Sequence, residues 1–161
     1  MTLDTASVFS SSPLHAVETA FLNLAAGDRP LTFSTAVLQD CAPADRAEVS
    51  VVELRRILLS KPTALGVRDA VWAELVRRSR EHAGVWTVVA VAMAMPALKS
   101  IAGSFGRSFD GAVEDLDGEI LAAFLDRLAT VDLGQPGILP RLRWAAFRAA
   151  RRSVEAETAR L

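Results

Sequence analysis

Near the C-terminus of the 161-residue chain, Arg141, Trp144, Arg148, Arg151 and Arg152 fall on one side of a helix drawn at about 100° per residue, with Glu155 among them. Leu142, Ala145, Ala146 and Ala149 fall on the other side. A core tryptophan belongs in the apolar seam, so one centred in an arginine stripe has different chemistry open to it. Exposed indole stacks on unpaired bases while neighbouring guanidinium groups neutralise phosphate. The competing reading is a solvated arginine face on which Trp144 packs against a neighbouring helix or against arginine stems.

Upstream, Asp115, Glu119 and Asp126 share one helical face at i, i+4 and i+11, with Ala122 between them. Such a stripe is either a solvated surface or a docking surface for a basic helix of a partner. Carboxylates at i, i+4 can ligate a divalent ion, but helical metal sites use inward Glu with a Glu-x-x-His pattern, and no histidine lies nearby. No metal and no cofactor is expected. Charge segregates along with these two stripes. Residues 108–132 carry −6 and residues 133–161 carry +4, inside a chain whose formal net charge is only −1. That near-neutral total gives no global field favouring a polyanion or a membrane.

Other reactive chemistry is sparse. Cys41 is the single cysteine, which excludes an intramolecular disulfide framework and a cysteine-based zinc site. It would be a nucleophile only beside a positioned histidine, and His15 and His82 fall on separate helices, so an inert thiol is expected. His82, at a helix end, reads as a cap. Gly103-Ser104-Phe105-Gly106 lacks the strand and the lysine of a phosphate cradle. Dinucleotide, P-loop, zincin and nucleophile-elbow motifs are all missing, so a non-enzymatic protein is expected. No basic segment followed by a short apolar one opens the chain, which makes the cytoplasm the expected compartment.

The elements that must position these side chains are helical. Apolar residues make up 51% of the chain, which excludes disorder for most of it. Residues 1–11 read as a flexible tail. Ser12-Pro13 reads as N-cap and first helical position of a helix over about 13–26, carrying Leu14, Val17, Phe21 and Leu24 and stopped by Gly27. Residues 28–49 have no sustained period and read as an irregular connection with a short extended piece near Leu31–Val37. Ser50-Val51-Val52-Glu53 matches a capping box and opens a short helix that ends at Lys61-Pro62.

Val67, Val71, Trp72, Leu75 and Val76 form one stripe of a helix over about 68–82. Val85 to Met95 is apolar at almost every position before Pro96 and Lys99. A membrane span needs roughly 20 apolar residues, about twice this run, so a buried central helix kinked or broken at Pro96 is expected and no membrane partner. A loop with Gly103, Gly106 and Gly111 then leads to a helix over about 113–130 whose core face is Val113, Ile120, Leu121, Phe124, Leu125 and Leu128. A Gly/Pro loop over residues 134–140 precedes the last helix, from about Pro140 to Thr158. The architecture is an all-α, single-domain helical bundle. An N-terminal helical extension over residues 12–62 packs on a helical unit over residues 63–161 as one compact body.

The order of these features carries a resemblance. The acidic-apolar run Asp115-Leu116-Asp117-Gly118-Glu119-Ile120, continuing to Leu128, is followed by Val131-Asp132, a short loop, and Leu139-Pro140-Arg141-Leu142-Arg143-Trp144-Ala145-Ala146-Phe147-Arg148. Over roughly residues 68–158 this resembles the second region of bacterial RNA polymerase sigma factors, and also uncharacterised helical proteins of high-GC bacteria. In that family an Asp-Leu-x-x-Glu helix docks on the polymerase clamp, and the following aromatic, basic helix engages and melts the −10 promoter element. The resemblance implies polymerase binding through Asp115, Glu119 and Asp126. It implies DNA contact through Arg141, Trp144, Phe147, Arg148, Arg151 and Arg152. The chain departs from the pattern at Gly118, where the family usually carries Gln, and at Phe147-Arg148, where it usually carries Arg-Asn. No helix-turn-helix for the −35 element follows before Leu161, so a complete sigma factor is not expected. The implied function is a transcription-associated binding protein; the alternative is a protein–protein adaptor or homo-oligomer in which the acidic helix of one copy meets the basic helix of another.

Overall fold

A computed structural model describes residues 12–38, 46–60, 63–109 and 111–160. The expected tail over 1–11, Cys41 and the helix stop at Lys61-Pro62 lie outside them. Among the described residues there are six α-helices and one two-stranded sheet. The helices are α1 (Pro13–Ala26), α2 (Val51–Leu59), α3 (Leu65–Glu81), α4 (Val85–Gly106), α5 (Val113–Thr130) and α6 (Ile138–Ala159). The protein is an all-α bundle.

The sheet lies in the stretch between α1 and α2, which the sequence presents as irregular. β1 (Thr32–Ser34) pairs antiparallel with β2 (Glu48–Ser50), in a register that puts Phe33 opposite Val49. Both of these side chains are buried, which fixes a pairing too short to show an alternating pattern. A single 3₁₀ turn, Thr35–Val37, follows β1. α2 starts where the capping box places it: Ser50 Oγ accepts from the Glu53 amide at 3.2 Å. The reciprocal half of the box does not form, because the Glu53 carboxylate pairs with Arg46 and Arg56 instead.

The central element is α4, packed by α1, α3, α5 and α6. Its run from Val89 to Met95 is buried at every position, as a helix surrounded on all sides requires. The helix is not broken at Pro96, and it absorbs Gly103 and Gly106 into its last turns. Pro96 is itself exposed, so its ring points away from the packed neighbours. By length and composition α4 alone among the described helices is apolar enough to cross a membrane, with 50% of its most apolar window buried in the bundle.

The stripe expected on α3 is buried in full: Val67, Val71, Trp72, Leu75 and Val76. Arg78, expected off that stripe, is half-buried because its guanidinium lies 4.7 Å over Phe33 and 4.6 Å over Trp86. These cation–π contacts, worth about 0.5–2 kcal/mol each, clamp the sheet to α3 and α4. The two helices of the extension are fixed to each other similarly. Arg55 of α2 pairs with Glu18 of α1 at 2.8 Å and lies 5.1 Å over Phe21. On α5, Leu116, Ile120, Phe124 and Leu128 form the core face. Val113 does not belong to it: at the first helical position it is 54% exposed.

Candidate functional site

α5 and α6 form an antiparallel hairpin, since the first turns of α5 and the last turns of α6 line the same cleft. Two bonds from α3 aim the hairpin, and neither is visible as a local motif. The Asp69 carboxylate accepts from the Gly137 and Ile138 amides at 2.9 Å each, so α6 takes its N-cap from another helix. Gly137, with φ of 75°, turns the chain into that cap through a left-handed conformation that glycine tolerates. Arg80 donates to the Leu128 and Val131 carbonyls at 3.2 and 2.6 Å, closing the C-terminal end of α5.

The acidic stripe is exposed. Asp115, Glu119 and Asp126 all face solvent, and none forms an ion pair among the described residues. They do not act as one cluster. Asp126 lies about 16 Å along the axis from Asp115, at 1.5 Å per residue. Asp115 and Glu119, by contrast, sit on the wall of a cleft of about 830 Å³, with Glu114 beside them and Arg152, Ser153, Glu157 and Arg160 opposite. Two carboxylates of the acidic stripe and one guanidinium of the basic stripe thus share a cleft, which their separation in sequence conceals.

The start of α1 reaches the same place. Pro13 lines the cleft, and a Cβ at Gly118 would sit 3.9 Å from the Pro13 ring. Ser12 Oγ, instead of capping α1, donates to Asp117 Oδ2 at 2.6 Å. Asp117 is only 6% exposed and its Oδ1 has no partner among the described residues. The extension therefore packs on the acidic helix at the position where this chain carries glycine.

The basic stripe divides into working parts. Arg141 is committed to structure: its guanidinium donates to the Asp132, Gln135 and Gly137 carbonyls at 2.8, 2.6 and 3.3 Å and holds the loop before α6. Trp144 is 51% exposed and stacks on Phe147, with ring centroids 5.3 Å apart and planes 10° from parallel. Phe147 in turn meets Phe105 of α4 edge-on at 5.1 Å. Those two ring contacts pack one side of the indole onto the bundle and leave about half of the residue open to solvent.

Arg148, Arg151 and Arg152 are exposed, and Arg151 lies 3.9 Å from the equally exposed Glu155. Arg143 was not among the sequence-derived candidates because 100° steps rotate it off the stripe. It is nonetheless exposed and lines a shallow depression with Pro140, Trp144 and Phe147. Its adjacency to Trp144 is the signal a wheel projection discards. His15 and His82 are exposed, and among the described residues no group of three metal-ligating side chains converges.

These features define a helical bundle with two exposed, oppositely charged faces on one hairpin. Compared with family models, curated proteins and solved structures, the chain matches none significantly.

Proposed function

We propose that the protein is a non-enzymatic, transcription-associated binding protein. Asp115 and Glu119, with Asp126 further along α5, dock on a basic surface of RNA polymerase. The Trp144–Phe147 stack, flanked by Arg143, Arg148, Arg151 and Arg152, takes unpaired DNA bases and their phosphates. The observation that supports this reading best is the open indole face of Trp144 among guanidinium groups, which core packing does not require. Arg141 is left out of the DNA-contacting set, because three carbonyls occupy it.

Binding to single-stranded DNA tests the α6 face. For single strands the logarithm of affinity falls with the logarithm of salt by about 0.7 per neutralised phosphate, so Arg148→Ala and Arg151→Ala should each lower that slope by about 0.7. Trp144→Ala should weaken binding by about 1–3 kcal/mol at any salt, as loss of one stacked base does. An unchanged slope and affinity in all three variants would refute the DNA contact.

The exposed charges of opposite sign, of which Asp115, Glu119, Arg148 and Arg152 form no ion pair among the described residues, also support a second reading, self-association of the acidic face of one copy with the basic face of another. A solution mass that falls toward one chain as salt rises would favour it.

A further inference from the structure

A separate cleft of about 540 Å³ lies where the start of α3, the middle of α4 and the loop entering α6 meet. Its volume is within the range of small-molecule sites, about 300–1,000 Å³. Leu65, Ala97, Pro136, Leu139 and Pro140 make its walls apolar, and Trp72 closes its floor. Leu65 is 81% exposed, the most open large apolar side chain among the described residues, and it stands at this cleft without a protein neighbour to cover it.

The charged groups of the lining are Arg68, Arg143 and Asp69. Both Asp69 oxygens already accept main-chain amides, and the same bonds balance the positive end of the α6 dipole. Neither the carboxylate nor the helix end is therefore free to select a ligand. The two arginines are. Arg68 donates one Nη to the Ser60 carbonyl, but its Nε is buried and meets no acceptor among the described residues, and a buried unpaired donor costs about 1–3 kcal/mol. Arg143 has no ion-pair partner among the described residues.

We infer that this cleft binds a small amphipathic anion, a carboxylate with an aliphatic body. The hydrocarbon covers Leu65 and Ala97, and the carboxylate lies between the guanidinium groups of Arg68 and Arg143. The site stands independently of what the acidic face of α5 binds, and shares only Arg143 with the proposed DNA-contacting face of α6.

Decanoate, below its micellar concentration, is the probe, with decylamine and decan-1-ol as matched cationic and neutral controls. Binding is read by tryptophan fluorescence, since Trp72 floors the cleft, and by thermal shift. Arg143→Glu reverses an exposed charge. Gly66→Phe fills the mouth at a position where a Cβ meets nothing within 4 Å and where glycine disfavours the helix, so this variant should fold at least as well as wild type. The expected result is saturable decanoate binding, weakened at least tenfold by each variant, with decylamine silent and decan-1-ol weaker. No saturable binding of decanoate, an equal response to decylamine, or binding untouched by both variants would overturn the inference.

Discussion

Asp69 is the residue whose loss should most change how α6 is presented. Its carboxylate makes two 2.9 Å bonds, to the Gly137 and Ile138 amides, at the start of a 22-residue helix. Removing a side-chain cap costs about 0.5–2 kcal/mol, and loss of a partly buried charge at a helix N-terminus adds up to about 2 kcal/mol. These contributions overlap, and Asp69 is half-exposed, so Asp69→Ala should cost about 2–3 kcal/mol. In a chain of this size that lowers the thermal midpoint by about 5–10 °C. Asp69→Asn retains one acceptor but not the charge, and should cost about half as much. Urea unfolding gives the free energies, and amide exchange at Gly137 and Ile138 locates the effect. An Asp69→Ala variant within about 0.5 kcal/mol of wild type, with those two amides still protected, would refute the tertiary cap.

Trp144→Ala should cost about 1 kcal/mol or less, whereas Trp72→Ala, which empties a site 2% exposed, should cost about 3–5 kcal/mol; urea midpoints separate the two. Of the three tryptophans, Trp144 should be the one an aqueous quencher reaches, so Trp144→Phe should remove most of the quenchable emission. Arg141→Met, which releases three loop carbonyls, should destabilise by about 1–2 kcal/mol and leave the salt dependence of any DNA binding unchanged.

What was legible in the sequence depended on period and length. The stripe Val67-Val71-Trp72-Leu75-Val76 repeats often enough to fix a face, and α3 buries it in full. The bounds of α5, and the outward direction of Trp144 on α6, follow from the same repetition. β1 falls within the extended piece expected near Leu31–Val37, but β2 and the pairing of the two were not legible, because three-residue strands have too few positions to alternate and are held by the burial of Phe33 and Val49, with Arg78 over the Phe33 ring. Pro96 looked like a break because its local cost is high, but a helix enclosed by four others recovers that cost through burial elsewhere. The roles of Asp69, Arg80 and Arg141 depend on partners 4–69 positions away in the chain, and no repeating pattern encodes them. The meeting of Asp115 and Glu119 with Arg152 in one cleft depends in the same way on the antiparallel return of α6.

The central claim is that the acidic face of α5 docks on RNA polymerase. Its most direct test is the affinity of purified core RNA polymerase for the wild-type chain and for an Asp115→Lys, Glu119→Lys variant. Both side chains are exposed and form no ion pair among the described residues, and the first-turn position of Asp115 puts the cost of its reversal at about 1 kcal/mol, so the variant should stay folded. The account predicts saturable binding by wild type that the double reversal weakens at least a hundredfold, the size of two lost charged contacts. No binding by wild type, or equal binding by both, would contradict it.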